Sequence, residues 1–380
     1  MAAPQSLAAT FVTSSSNACC PFGLQDCQAA LVKPKSAQSP EFWLLSFPIP
    51  GIAPRLGTLA EEGGLDGIVF ADTQNLAGDP YSELCLVARS TTRLKLGTGV
   101  TNPVTRHPAV TASAIATVHA ESSGRAILGI GRGDSSLAYI GMKPATVAAL
   151  ERYVQRVQTY LAGETVDLDG FESRNQWISL TGLPKIPVDI AATGPKVIGV
   201  GARLAERVTF AVGADAERIS ASVEIAKSAS SEAGRSDDQP SLGAFVNVGV
   251  NDDAATARDL IRGGLGSFAH FSGMSGAETS RVSPNDRAIF EALGAEYDMA
   301  NHGMRSAKHA KFIDDAFVDR FGVAGDSEYC IRRLGELLDA GIERLVIVAG
   351  SRDANPGDFF NSNAKLMHEV VPALREQFTK

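Results

Sequence analysis

From residue 41 onward the chain alternates between short, almost unbroken apolar runs and longer stretches with apolar residues at helical spacing. The runs at 42–47, 67–71, 94–98, 126–130, 188–191, 207–211, 243–250 and 344–348 are candidate strands. Runs this short and this continuous suit parallel strands buried on both faces. Helical patterns fall at 54–62, 81–90, 108–121, 145–161, 196–204, 216–233, 253–271 and 328–340, with a terminal helix near 359–376. Eight such units predict an α/β fold, a (β/α)8 TIM barrel. A doubly wound open sheet is the second reading, although it normally has fewer strands and a single nucleotide crevice. Two insertions break the rhythm. One follows helix 4 (164–186, with Trp177), and one follows strand 7 and its helix (273–318, with Met274, His302, Met304 and His309). Both are expected to be lids or substrate walls.

Composition narrows the function. Apolar residues make up 44% and charged residues 21%, with a net charge of −8. An acidic balance argues against a nucleic-acid partner, and no apolar run is long enough for a membrane span. The five cysteines, Cys19, Cys20, Cys27, Cys85 and Cys330, form no disulfide framework and no zinc spacing. Cys85 and Cys330 read as reduced, buried thiols of a cytoplasmic enzyme. Residues 1–40 stand apart: rich in Ala, Ser, Pro and Gln, with one acid, Asp26, and no periodicity. They are expected to be a disordered N-terminal extension, whether transit-like segment, tail or miscalled start, with 41–380 as the barrel domain.

The stretch from Leu94 to Asp134 reads strand, glycine turn, helix, strand, glycine turn. Glycine turns at the C-terminal ends of barrel strands are where such folds bind ligands. Gly129-Ile130-Gly131-Arg132-Gly133-Asp134 fails the dinucleotide fingerprint, because Asp134 stands at the third glycine, and it lacks the Lys-Ser/Thr of a P-loop. Its backbone N–H groups can still approach an anion closely. Ala192-Thr193-Gly194-Pro195-Lys196 ends strand 5 and opens a helix with proline in its first turn, a place suited to phosphate. Asp134 reads either as an acid/base group or as the N-cap of the segment after it. His119 falls on a helix surface. His302 and His309, seven apart, could share a helix face but lack a third ligand, so no metal site is expected. No G-x-S-x-G nucleophile elbow is present.

Taken together, GVTNPVTRHPAVTASAIATV (99–118), GRAILGIGRGD (124–134), Ala191-Ala192-Thr193-Gly194-Pro195 and Phe70-Ala71-Asp72 resemble the luciferase-like superfamily of flavin and deazaflavin oxidoreductases. Within it, the chain is most similar to coenzyme F420-dependent methylenetetrahydromethanopterin reductases, over roughly 41–375. The resemblance implies F420, or alternatively FMN supplied by a separate reductase, bound at the C-terminal mouth of the barrel. It implies a cis peptide at Gly99–Val100 backing the cofactor ring, with Asn102 near the ring or ribityl chain. Gly131, Arg132 and Gly133, with Ala192, Thr193, Gly194, Pro195 and Lys196, would hold the phosphate and tail. Asp72 would lie beside the ring and Asp134 at its reactive face, both catalytic candidates, and Ser46, Phe47 and His107 would wall the small-molecule substrate. A homodimer is the family's common state. The sequence departs from the sugar-phosphate dehydrogenases of the superfamily, which have Asp-His where this chain has Asp72-Thr73. Hydride transfer is the expected chemistry. An FMN-dependent monooxygenase and a non-catalytic flavin-binding barrel are the alternatives.

Overall fold

The computed structural model describes residues 39–273 and 282–379. The barrel strands are β1 (Glu41–Ser46), β2 (Gly67–Phe70), β3 (Lys95–Thr98), β4 (Ala126–Ile130), β5 (Val188–Ala192), β6 (Arg207–Phe210), β7 (Ser241–Val250) and β8 (Arg344–Val348). All neighbours pair in parallel, and β8 pairs back onto β1 with Glu41 opposite Arg344. That pairing closes the sheet and excludes the open doubly wound alternative.

Side-chain alternation on the strands divides the core in two. Phe42, Leu44, Ile68, Phe70, Leu96, Leu128 and Ile130 face the outer helices. Trp43, Val69, Ile127, Phe245 and Val346 fill the interior. The floor of the barrel is ionic. Arg207 donates to Glu41 at 2.8 Å, and the buried Arg344 reaches Asp189 at 3.2 Å and Thr209 at 2.9 Å. Burial disfavours the Glu41 charge, but Arg207 and Lys95 beside it prevail and hold its carboxyl at about 2.

The helices start where their sequences say they should. Asp79 caps Pro80–Ser90 by accepting from Ser82 N at 2.8 Å, and Thr146, Asp215, Asp253 and Asp326 cap later ones in the same way. The last helical stretch, Pro356–Lys365 followed by Val371–Phe378, is interrupted by a π turn over Leu366–Val370, just before Pro372, which cannot donate to the ladder.

Several expectations need correction. Residues 164–186 contribute a two-stranded hairpin, Thr165–Asp167 with Glu172–Arg174, and none of them reaches the cavity at the mouth. The segment leads from a helix into β5, so it lies at the N-terminal end of the strands, opposite the mouth. The second insertion holds helices Pro284–Glu296 and Asp315–Phe321. After it, Val323–Gly325 forms a further strand on the end of β7. His119 is not a surface residue: it is buried, its Nε2 3.0 Å from Pro184 O and its Nδ1 accepting from Ala126 N at 3.2 Å. Cys330 is a buried free thiol, whereas Cys85 is only half-buried. The expectations for Met274 and for residues 1–38 of the N-terminal segment, Cys19, Cys20 and Cys27 included, lie outside the described residues. No helix among the described residues is long and apolar enough to cross a membrane.

Candidate active site

The loops after the strands enclose a cavity of about 420 Å³ at the C-terminal end of the barrel. Its base is set by two interlocked turns. Thr98 Oγ1 donates to Gly129 O at 2.6 Å, Thr101 N donates to Gly129 O at 3.0 Å, and Gly131 N donates to Thr101 O at 3.0 Å. A Cβ on Gly129 would stand 1.9 Å from Thr98 O, so only glycine allows β3 and β4 to approach this closely here. The Gly99–Val100 peptide is cis, and both residues face the cavity.

On the β4 and β5 side, Gly131, Arg132, Gly133, Ala192, Thr193, Gly194 and Lys196 line the wall. The helix Pro195–Leu204 begins here with Gly194 at its N-cap and no side-chain cap, so its first N–H groups remain available. Arg132 is steadied by Nε donating to Ala145 O at 2.6 Å. Among the described residues neither Arg132 nor Lys196 has a carboxylate partner. Pro195 is exposed and lies off the wall, as expected of a residue whose part is to fix the first turn.

Asp72, at the end of β2, is on the wall, but its Oδ2 is taken by Thr101 Oγ1 at 2.7 Å and by the Arg106 guanidinium. Arg106 also reaches Asp79 at 2.9 Å and stacks over the Tyr81 ring. Asp134 sits at the N-cap position of the short helix Ser135–Ala138 without capping it. Its Oδ2 is buried with no hydrogen bond, and burial raises the carboxyl to about 6. Thr73 Oγ1 is likewise buried and unpaired at the wall.

Leu45 and Phe47 line the cavity while Ser46 between them does not. Alternation on β1 turns Trp43, Leu45 and Phe47 inward, so the expectation for Ser46 is off by one residue. His107 is exposed and off the wall; its Nδ1 accepts from Ala109 N at 3.2 Å and caps helix Pro108–Glu121. Asn102 is buried behind the wall. Its Oδ1 accepts from Val104 N and Thr105 N at 2.9 and 3.1 Å, and its Nδ2 has no partner.

The opposite wall bears out the expectation for the second insertion through His302 and Gly303, while the contributions of one helix and of the β8 loop were missed by sequence reasoning. Ser267, Phe268 and Phe271 come from the helix Ala254–Ser272, His302 and Gly303 from the second insertion, and Gly350 and Arg352 from the loop after β8. His302 and His309 do not share a helix face: His302 lines the cavity, and His309 lies on a separate 3-10 turn, Lys308–Phe312. Burial drives His302 down to about 3, with help from His270, Arg352 and His309. The insertion is tied down by Tyr139 donating to Met299 O and by Arg352 Nη1 donating to His302 O at 2.9 Å. The available signal was the small-residue run Gly263-Gly264-Leu265-Gly266, which marks a helix packed unusually close to its neighbours.

A closed parallel barrel with a glycine-turn cradle, an open helix N-terminus and a buried carboxyl at its mouth defines a ligand-binding (β/α)8 enzyme. The chain belongs to the luciferase-like monooxygenase family, whose profile matches residues 49–344, and it is an oxidoreductase of that family. It is 30% identical over 303 residues to a 5,10-methylenetetrahydromethanopterin reductase of Methanolobus tindarius, covering 77% of this chain and 88% of that one. It is 31% identical over 327 residues to the enzyme of the same name from Archaeoglobus fulgidus, covering 83% and 94%. In fold it matches the coenzyme F420 dependent tetrahydromethanopterin reductase of Methanopyrus kandleri, with TM-score 0.69 and 23% identity over 89% of this chain and 100% of that one. It also matches a long-chain alkane monooxygenase, with TM-score 0.62 and 15% identity over 90% and 92%.

Proposed function

We propose that this enzyme is an F420-dependent oxidoreductase that transfers a hydride between the deazaflavin and a small organic substrate at the barrel mouth. The observation that carries this reading is the cationic cradle on the β4 and β5 side. There, among the described residues, Arg132 and Lys196 have no carboxylate partner and stand beside the uncapped N-terminus of helix Pro195–Leu204. That cradle suits a phosphodiester with an anionic oligoglutamate tail somewhat better than the single phosphate of FMN. The likeness to the reductases, one of them named as coenzyme F420 dependent, supports the same choice.

When bound, the deazaflavin supplies the hydride donor or acceptor carbon. The chain's own residues do the rest. Gly131–Gly133 with Thr193, Gly194 and Lys196 would hold the tail, Gly99 and Val100 would back the ring, and Leu45, Phe47, Phe245, Phe268 and Phe271 exclude water. Asp134 holds or releases a proton at its Oδ2, its carboxyl raised to about 6 by burial. Asp72, fixed by Thr101 and Arg106, is an immobile acceptor at the β2 end of the wall.

The test is turnover by the purified enzyme with a panel of pterin-like and unsaturated carbonyl compounds, following deazaflavin absorbance and dissolved oxygen in parallel. Substrate-dependent reoxidation of reduced F420 without oxygen uptake is expected. Oxygen uptake with reduced FMN, with F420 inert, would overturn the reading in favour of the monooxygenase.

A further inference from the structure

The helix Ala254–Ser272 lies tightly against the barrel mouth. A Cβ on Gly264 would stand 3.1 Å from Gly350 O of the β8 loop, and one on Gly263 2.4 Å from Arg305 N of the second insertion, so bare backbone at both positions lets the helix approach. One turn beyond the wall residues Ser267 and Phe268, this approach brings His270 to Asp134, with Nε2 3.5 Å from Oδ2. Both side chains are largely withdrawn from solvent, and among the described residues neither Asp134 Oδ2 nor His270 Nδ1 has a hydrogen-bond partner. A histidine kept only for packing would be expected to satisfy its ring nitrogens.

The imidazole is held in place from behind. It stacks on Tyr297 at 4.1 Å and 21°, and Tyr297 stacks on His309 at 4.1 Å and 24°. The Tyr297 hydroxyl lies 2.8 Å from His302 Nδ1 and 3.1 Å from Ser267 Oγ. His309 is pinned by Asp298 N donating to its Nδ1 at 3.1 Å. The ring is therefore held in place, with Nε2 3.5 Å from the carboxyl oxygen. The titratable and charged groups around the pair are Tyr297, His302 and His309 of the second insertion, Asp298 beside them, Tyr139 of the β4 loop and Arg352 of the β8 loop.

From this geometry we infer that His270 is the proton partner of Asp134 and that the two act as one proton-holding pair at the reacting face. The inference rests on the hydride-transfer reading above. Hydride addition to a neutral C=O or C=N group leaves an electron pair on the heteroatom, which takes the proton from Asp134. The resulting carboxylate then takes the Nε2 proton of the neutral His270 imidazole while the unpartnered Nδ1 takes up another: the Nε2–H bond breaks with its electrons left in the ring, and an O–H bond forms on Oδ2. The proton taken up at Nδ1 comes from solvent and is balanced by the one the deazaflavin releases once its hydride has left, so the overall reduction consumes no net proton. The 3.5 Å separation is a loose contact of the kind that shortens when substrate displaces water.

Carbon-13 NMR of the Asp134 carboxyl, assigned with Asp134→Asn, tests the pair in the full-length protein without cofactor. His270→Phe is expected to move the Asp134 midpoint upward by about one pH unit, a roughly tenfold change in acidity, because a nearby N–H donor is lost. His270→Gln, which keeps an amide donor, is expected to hold the midpoint near the wild-type value. In turnover, both variants are expected to bind F420 like wild type and to lose one limb of the pH profile of kcat/KM, since neither side chain carries a proton. An Asp134 midpoint unchanged in His270→Phe, or a wild-type pH profile in His270→Gln, would overturn the inference. Failure of wild-type protein to bind F420 would overturn the cofactor reading, while the NMR titration would still decide whether the pair exists.

Discussion

Arg106, half-buried, and the buried Asp72 form an ion pair at the edge of the cavity, and Thr101 completes the set of donors on the same carboxylate oxygen. Asp72 is 5% exposed, so its charge depends on these partners rather than on water. Removing the cation leaves that charge stranded, which is costlier than never having built the pair.

Arg106→Met is accordingly expected to lower the unfolding free energy by about 3 kcal/mol. Asp72→Asn is expected to cost less, since Arg106 retains Asp79 at 2.9 Å. The double variant should recover part of the loss. Urea denaturation of the three variants checks this, and equal, additive losses would show that the residues are not coupled.

Asp134 is a source of instability at neutral pH. Its folded-state carboxyl is raised by burial from 3.8 to about 6, so the folded protein is favoured below 3.8 and loses that advantage as the pH rises through 6. Asp134→Asn removes this loss. The variant is expected to be more stable than wild type at pH 8 by about 1–3 kcal/mol, with about half that gain at pH 5. Thermal unfolding at the two pH values measures it.

The histidines act in the opposite direction. His302 is held neutral in the fold, down to about 3 against 6.5 when exposed, and His270 and His309 are lowered as well, chiefly by burial. Their contribution is complete above pH 6.5 and is lost as the pH falls towards their folded values. Stability should therefore decline below pH 6.5 by roughly 1.4 kcal/mol per pH unit for each histidine that the unfolded chain protonates first. His302→Gln should make that decline shallower in acid denaturation followed by tryptophan fluorescence.

The strands were legible because a parallel barrel strand is a short apolar run with little else in it. Ala126–Ile130 and Arg344–Val348 match their expected bounds to the residue. The glycine turns were legible for a related reason: the close approach of β3 and β4 tolerates no other residue at Gly129. Ser46 falls off the wall because β1 alternation turns Trp43, Leu45 and Phe47 inward, and segment 164–186 forms no wall because it precedes a strand rather than follows one. His270 and Tyr297 were not legible at all. They lie 27 residues apart, far from any motif, and meet Asp134 only through the packing of Ala254–Ser272 on the mouth.

The most direct test of the account is fluorescence titration of the purified, cofactor-free protein with F420, alongside oxidised and reduced FMN. Saturable binding of one F420 per chain is predicted, weakened about tenfold in Lys196→Ala by loss of a charge-assisted contact, with FMN bound more weakly in either redox state. Binding of neither cofactor would contradict the assignment of the Gly131–Gly133 and Thr193–Lys196 turns as a cofactor cradle.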